Sequence, residues 1–259
     1  MPIYVPGKVT LRQTWQPMDP DAAAYITAVE AADEIASPGI GALEEKTKIA
    51  IDNFVLGCKA DGIWSAIKAS CILAGARTLA GALVPLVGTA PTNYNFVSGD
   101  YNRETGLVGD GSTKYLDSNR KDSDDPLNSS HLGVFVSAIG AVNHAIGNDT
   151  GTNVRTALDS AGFRSRSSNF YTPNWANGFS GISRNIGASF IARQSSNNVT
   201  ETISAATFNN NNYLIFSQSP TGVFGNPRIA FYSIGESLDL AKLDARVTDL
   251  INAIGVAIP

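Results

Sequence analysis

The chain has 259 residues, a formal net charge of −4 and a hydrophobic content of 43%. Its length suits one large all-β domain with an appendage or two modest domains, and its composition is that of a folded protein rather than a disordered one. The negative charge argues against a protein that binds nucleic acid.

Residues 1–20 contain four prolines and predict an extended docking arm that lies on a partner. Residues 1–6 have neither the basic start nor the apolar centre of a signal peptide, so we expect the chain to fold in a cytoplasm. The apolar stretch near residues 80–87 is interrupted by Gly81 and Pro85 and is too short for a bilayer, so we expect no membrane insertion.

Residues 21–90 form a predicted helical section. Asp19 followed by Pro20 provides an N-cap and a first-turn proline, which is a typical start of a helix. Apolar residues then recur at helical spacing from Leu43 to Cys58, with charged residues on the other face, and predict a second helix.

Cys58 and Cys71 are the only cysteines, and both lie in this apolar section. We expect reduced thiols in the core rather than a disulfide bond. The cysteines have no zinc-ligand spacing with His131 or His144, and we expect neither a metal site nor a cofactor.

Residues 91–259 have the character of an antiparallel sandwich with a closing helix. Turn signals recur every eight to twelve residues, which is typical of a sandwich or jelly roll. The predicted fold is therefore mainly β, an antiparallel jelly-roll sandwich with an N-terminal helical section and a C-terminal helix packed on the sandwich. Strand-length runs lie at residues 131–139, 153–158, 178–183, 189–193, 200–205, 213–218 and 228–234.

An apolar stripe from Leu240 to Ile254 predicts the closing helix. Ser233 and Glu236 have the spacing of a capping box at its start. Such a stripe packs on its own sandwich or, as the alternative, forms a seam between subunits. We favour packing on the sandwich.

Charge is unevenly distributed along the sandwich. No lysine occurs between Lys121 and Lys242, and residues 150–235 contain eight charged side chains, six of which are arginines. A surface of neutral polar groups and arginine suits contact with a partner, because these groups bind at low desolvation cost. The alternative is a sandwich whose exposed faces happen to be rich in serine, threonine and asparagine.

Several short motifs recur along the chain in a characteristic order and spacing. Residues 54–64 join a helix end to the G-x-W motif Gly62-Ile63-Trp64, and further motifs follow at residues 91–96, 105–112, 114–117, 181–184 and 228–236. In order and spacing they resemble a module of tail-fibre and minor structural proteins of tailed bacteriophages, notably cyanophages. The resemblance covers residues 20–255.

That resemblance implies a concanavalin-like jelly roll in a virion component, assembled in the host cytoplasm with other virion proteins and commonly as a homotrimer. The chain has no long repetitive shaft, which leaves a short tip, baseplate or capsid-surface subunit. We expect a tail-fibre or baseplate-associated subunit involved in host attachment. The alternatives are a capsid decoration protein that stabilises the shell and, less favoured, a carbohydrate-active enzyme.

Residues for catalysis are sparse. A glycoside hydrolase needs two carboxylates held a few ångströms apart, and no strand of the sandwich carries an alternating pair. A serine nucleophile would need a strained elbow, and Ser183 has none, so we interpret Ser183, His131 and His144 as ordinary hydrogen-bonded residues. We therefore expect no enzyme. The carboxylates of residues 131–235 are Asp149, Asp159 and Glu201.

Contact with a host-surface glycan requires an aromatic platform beside hydrogen-bonding amides. The best local candidate consists of Phe170, Tyr171, Asn174, Trp175 and Asn177. The alternative is that these aromatics belong to the inner face of the sandwich. The asparagine run at residues 209–212 is either a loop tip, which we favour, or a recognition loop.

An acidic segment contains Asp122, Asp124 and Asp125. Carboxylate oxygens are the ligands that calcium prefers. A solvated acidic loop is the interpretation we favour, with calcium binding as its alternative.

Overall fold

The computed structural model describes residues 15–149, 154–208, 210–219 and 222–258. Of the predicted docking arm, residues 1–14 lie outside this part of the chain. The helices are α1 (Pro20–Ala36), α2 (Glu45–Ala60), α3 (Leu79–Ala82) and α4 (Leu240–Ala257). The strands are β1 (Ile67–Ile72), β2 (Thr92–Tyr94), β3 (Tyr101–Asn102), β4 (Gly106–Val108), β5 (Tyr115–Lys121), β6 (Ser130–Ala138), β7 (His144–Asn148), β8 (Arg155–Asp159), β9 (Gly162–Ser167), β10 (Gly178–Ile186), β11 (Ser189–Gln194), β12 (Asn197–Glu201), β13 (Asn212–Ile215), β14 (Ser217–Ser219), β15 (Val223–Phe224) and β16 (Arg228–Gly235).

The strands form two large antiparallel sheets. Sheet A has eight strands in the order β12-β11-β10-β6-β16-β4-β3, and β1 also pairs with β16. Sheet B has six strands in the order β2-β5-β13-β7-β8-β9, while β14 and β15 pair with each other. The mainly β, antiparallel class is confirmed, and β1 of the predicted helical section belongs to sheet A.

The predicted strand at residues 200–205 is wrong. Ser195 and Ser196 both have positive φ angles, of 48° and 63°, as the tight hairpin turn between two twisted strands requires. Because the turn takes only these two residues, β12 begins at Asn197, earlier than predicted, and it ends at Glu201. Beyond it, the N–H of Ala206 donates to the carbonyl of Arg166 at 2.9 Å, and the chain crosses to sheet B.

The core lies between the two sheets. On sheet B, a row of directly paired residues faces inward, and all of its side chains are fully buried. This row shares the core with Leu132, Ile182 and Ile234 of sheet A. Because side chains alternate along a strand, the next row of sheet B faces outward. The inward row is Leu116, Ile215, Ile146, Leu158 and Phe163.

The helices cover the other face of sheet A. Phe54 of α2 meets Phe231 of β16 edge to face, with ring centroids 5.6 Å apart. The closing helix α4 packs on the sandwich as predicted, and its N-cap is Asp239, which accepts the N–H of Ala241 at 2.9 Å. The capping box predicted at Ser233 is wrong, because β16 continues to Gly235 and keeps Ser233 inside the sheet.

Cys58 and Cys71 are free and buried, which confirms the prediction of reduced core thiols. Burial raises the pKa of each thiol to about 12. None of the helices in the described residues is both long and apolar enough to span a membrane.

Close packing of α4 on sheet A depends on glycine at residue 181. A Cβ placed there would lie 2.9 Å from Cδ2 of Leu240. We expect Gly181→Val to lower the free energy of unfolding by about 1–3 kcal/mol, the usual cost of overpacking. Urea denaturation tests this. Gly255→Ala is the matched control, because a Cβ at residue 255 meets nothing within 4 Å and should leave stability unchanged or raised.

Candidate functional site

Three of the six arginines of the lysine-free region are buried, so these three do not supply the predicted contact surface. Arg166 and Arg184 are fully buried and Arg193 is 8% exposed. A guanidinium carries five N–H donors and can be buried where carbonyl oxygens surround it. Arg184 donates to the carbonyls of Ser165 at 2.8 Å and Ile203 at 3.0 Å. These side chains hold the sandwich together rather than face a partner.

The acidic segment is likewise buried, and the prediction of a solvated loop is wrong for two of its carboxylates. Asp122 and Asp125 are 1% and 2% exposed. Nε of Arg166 donates to Oδ1 of Asp122 at 2.8 Å, and the hydroxyl of Tyr213 donates to the same oxygen. Arg120 pairs with Asp125. Two of the carboxylates that calcium would bind are thus paired with arginine instead. The described residues contain no group of three or more potential metal ligands.

Two of the five predicted glycan-contact residues pack against the sandwich core. The rings of Tyr171 and Trp175 meet Phe163 edge to face, with centroids 6.0 and 5.7 Å away. Tyr171 also exchanges both backbone hydrogen bonds with Phe163, at 2.8 and 3.0 Å. These two rings therefore cover the end of the core and do not form an open platform together.

The other three predicted residues are exposed but separate in role. Phe170 is 44% exposed, and the guanidinium of Arg164 lies 4.3 Å from its ring centre. Asn177 accepts the N–H of Ile139 at 2.9 Å, and Asn174 is exposed. A contact role for this segment stays a prediction that rests on Phe170 and Asn174.

The candidate hydroxyl and imidazole groups do not meet as a nucleophile and its base. The hydroxyl of Ser183 donates to the carbonyl of Leu238 at 2.9 Å. His131 contacts Ser233 and the carbonyl of Glu236 instead, at 2.7 and 2.6 Å. Both side chains are buried, and each is hydrogen-bonded within the protein.

The outer face of sheet B carries a cleft of about 450 Å³. Two members of the outward row, Asp117 of β5 and Leu214 of β13, form part of its floor. Tyr115 lies two residues before Asp117 on β5 and therefore projects from the same face. Besides Tyr94, Tyr115, Asp117 and Leu214, the lining of the cleft includes Gln218 and the asparagines at 210–212.

Two tyrosines form the aromatic end of this cleft. Tyr94 of β2 is paired with Tyr115 of β5, and their rings stack 4.4 Å apart with only 8° between the planes. Phe224 supports Tyr115 from 6.0 Å. Tyr94 remains 40% exposed, so the supported ring pair presents apolar surface to the cleft.

Amide groups line the cleft beside the tyrosines. Nδ2 of Asn212 donates to Oδ1 of Asp117 at 2.9 Å. Nδ2 of Asn211 donates to the carbonyl of Asp149 at 3.0 Å. Asn210 also lines the cleft, whereas Asn209 lies outside the described residues. Most of the asparagine run thus lies against the cleft, and its role as a recognition loop stays a prediction.

A polar network continues from the cleft across the outer face. Oε1 of Gln218 accepts from Arg155 at 3.1 Å, and Nε2 of Gln218 lies 3.1 Å from Nδ1 of His144. Nε2 of Gln218 also donates to Asp159. Because an amide nitrogen only donates, Nδ1 of His144 accepts and the imidazole is neutral. Burial, together with Arg155 and Arg164, lowers the pKa of His144.

Asp159 is the hub of this network rather than a free acid. Its Oδ1 accepts the N–H groups of Ala161 and Gly162 at 2.8 and 2.9 Å. Its Oδ2 accepts from Arg164 at 3.3 Å, and Arg164 in turn covers Phe170. The network therefore connects the cleft with the exposed part of the predicted contact segment.

A larger hollow of about 810 Å³ lies between the end of α1 and the segment that follows β2. Two of its side chains, Arg77 and Arg103, are both paired with Glu44, at 3.1 and 2.7 Å. Their charge is thus directed to the protein, and the rest of the lining is mainly apolar. Two of its polar side chains also bond within the protein, Thr78 to Asp33 at 2.7 Å and Asn93 to the carbonyl of Phe96 at 3.0 Å.

The cleft could not be found from local sequence. Tyr94, Tyr115 and Asn212 come from strands β2, β5 and β13, which only the sheet order brings together. The one local signal is the spacing of Tyr115 and Asp117, which places an aromatic ring and a carboxylate on the same face of one strand.

No protein-family model and no curated protein sequence matches the chain. Domain 4 of AbnA, a GH43 extracellular arabinanase from Geobacillus stearothermophilus, in complex with arabinotriose, is similar at 11% identity and a TM-score of 0.37. That match covers 64% of this chain and 82% of the arabinanase domain. The botulinum neurotoxin serotype D binding domain is similar at 11% identity and a TM-score of 0.43, over 71% of this chain and 51% of its own. At these values neither similarity bears on function.

Proposed function

We propose that the chain is a virion structural protein of a tailed bacteriophage, a tail-fibre or baseplate-associated subunit that contacts a glycan of the host surface through the cleft of sheet B. The observation that carries the glycan contact is the stacked pair of Tyr94 and Tyr115 beside asparagine amides and Asp117. Sugar rings have flat C–H faces that pack on aromatic rings, while their hydroxyls need polar partners at the edge.

The sequence resemblance supports the virion assignment. Part of that resemblance falls on the strands that carry the tyrosine pair. The segments at residues 91–96 and 114–117, which carry part of that resemblance, contain β2 and the start of β5. Those strands hold the tyrosine pair. Host attachment is the role in which a virion protein would use such a platform.

Tyr94→Ala tests the contact. Removing the exposed ring should weaken binding of the purified protein to intact host cells about tenfold or more, which corresponds to about 1.4 kcal/mol. The measurement is a cell-binding isotherm with labelled protein, repeated on immobilised host-surface polysaccharide. Tyr94 makes no hydrogen bond through its side chain in the described residues, so we expect the fold to be retained.

Phe170→Ala is the matched control, because Phe170 is 44% exposed and Tyr94 is 40% exposed. We expect Phe170→Ala to bind like the wild type. Loss of binding in Phe170→Ala alone would move the contact to residues 170–177 and would contradict the proposal for the cleft.

Antibody labelling of intact virions, seen by negative-stain electron microscopy, tests the assignment to the tail. We expect label at the tail end. Label scattered over the head would instead support a capsid decoration protein, and the attachment role would then be abandoned.

A further inference from the structure

We infer that the cleft of sheet B selects neutral saccharides and discriminates against glycans that carry a carboxylate, sulfate or phosphate on the bound sugar, with Asp117 as the discriminating residue. This inference rests on the proposed glycan contact and names the class of ligand. Its basis is the position of the Asp117 carboxylate relative to the tyrosine pair and to the other charges of the cleft.

Asp117 is held rigidly on the cleft floor. Its Oδ1 accepts the backbone N–H of Asn119 at 2.8 Å and the amide of Asn212 at 2.9 Å. The described residues donate to Oδ1 only, which leaves Oδ2 as an acceptor for a ligand. A carboxylate accepts hydrogen bonds and cannot donate them. Sugar hydroxyls are donors of the kind this oxygen requires, and charge-assisted bonds of this sort are among the stronger ones.

The same carboxylate sets the charge near the platform. Tyr115 and Asp117 are two residues apart on one strand face, which separates their Cα atoms by about 7 Å. A sugar stacked on the tyrosines therefore lies beside a negative charge. Coulomb repulsion at about this distance should weaken the binding of an anionic sugar by about threefold at the dielectric constant of water and by about fiftyfold at an effective dielectric constant of about 20.

The other charges of the cleft do not offset this repulsion. Asp149 is also negative, and its carboxylate is paired with Arg155 at 3.4 Å. Lys121 also lines the cleft and is paired with Asn212 of β13, but no ion pair joins it to Asp117 in the described residues. The platform end is therefore negative, while neutral polar amides form most of the remaining lining.

Matched oligosaccharides test this inference. Hexose oligosaccharides of glucan, mannan and galactan type are compared with counterparts whose C6 hydroxymethyl groups have been oxidised to carboxylates. At low salt, we expect the wild type to bind a neutral oligosaccharide at least about tenfold more tightly than its oxidised counterpart. Asp117→Asn keeps the size of the side chain and removes its charge, and should reduce that ratio toward one. Raising the salt concentration should reduce the wild-type ratio in the same direction.

Lys121→Gln is the control and should leave the ratio unchanged or slightly higher. Equal or tighter binding of the oxidised oligosaccharides by the wild type, with loss in Tyr94→Ala, would overturn the neutral selectivity and leave the glycan contact standing. A wild-type ratio that Asp117→Asn does not alter would overturn the role of Asp117. Absence of binding to every neutral and oxidised sugar and to host cells would overturn the glycan contact itself, and the selectivity with it.

Discussion

Replacement of Arg166 by methionine should lower the free energy of unfolding by about 3–5 kcal/mol, the usual cost of removing one partner of a buried ion pair. Arg166 is fully buried, and its guanidinium donates to Oδ1 of Asp122 at 2.8 Å and to the carbonyl of Asp122 at 2.7 Å. It also donates to the carbonyl of Pro126. Methionine fills a similar volume but leaves the carboxylate of Asp122 without a compensating charge. Equilibrium urea denaturation at pH 7, with the midpoint and slope recorded separately, measures the loss.

Two further variants separate the buried charge from other effects. Arg246→Met removes an ion pair of similar length, 2.7 Å to Asp61, but the arginine side chain is 36% exposed, so the expected cost is about 1 kcal/mol or less. The double variant Asp122→Asn with Arg166→Met should be more stable than Arg166→Met alone, because the isolated charge is gone. If Arg166→Met cost no more than Arg246→Met, the buried pair would not be a stabilising element of this fold.

Arg166 also shows where sequence periodicity fails. Alternation along β9 would place Arg164 and Arg166 on the same, outward face. Arg166 instead has a φ angle of 52°, and the register of β8 and β9 shifts between Arg155 and Ala157. This irregularity turns the guanidinium into the interior. Local pattern predicts faces only while a strand stays regular, so the burial of Arg166 could not be identified before the structure.

The sequence predicted the fold better than the site for a related reason. Strand-length runs and turn residues act over a few neighbours, and they identified β6, β8, β10, β11, β13 and β16, but not β2, β5, β7 or β9 of sheet B. The cleft depends on the order β2-β5-β13 within sheet B, and that order brings Tyr94 and Asn212 together across more than a hundred residues. The predicted segment at Tyr171 and Trp175 has the right residue types, but its rings fill the end of the core.

Acidification from pH 7 to pH 4 should destabilise the fold by about 3 kcal/mol through His131 alone. The imidazole is 1% exposed, and burial lowers its pKa to about 4. Nδ1–H donates to the carbonyl of Glu236 at 2.6 Å, and Nε2 accepts from the hydroxyl of Ser233 at 2.7 Å. The neutral ring is therefore fully hydrogen-bonded, and a second proton would place a positive charge in the interior and require the hydroxyl of Ser233 to rotate and accept from Nε2–H.

The sign follows from proton binding in the two states. An unfolded histidine has a pKa of about 6.5, so between pH 6.5 and pH 4 the unfolded chain binds a proton that the folded chain does not. Stability is thus complete above pH 6.5 and falls by up to about 1.4 kcal/mol per pH unit until pH 4. The pKa of the Asp110 carboxyl is also lowered in the fold, by hydrogen bonds from the N–H groups of residues 112–114 against the opposing effect of its own burial, so its contribution is lost only at lower pH.

His131→Gln isolates this effect, since glutamine does not titrate. The variant should be less stable than the wild type at pH 7 because it loses the ring. Its free energy of unfolding should nevertheless fall by about 2 kcal/mol less between pH 7 and pH 5 than that of the wild type. His144→Gln is the matched control, and its effect on the slope should be smaller because His144 is only half-buried and lies beside Asp159. Parallel curves for the wild type and His131→Gln would mean that His131 is not the group that makes the fold sensitive to acid.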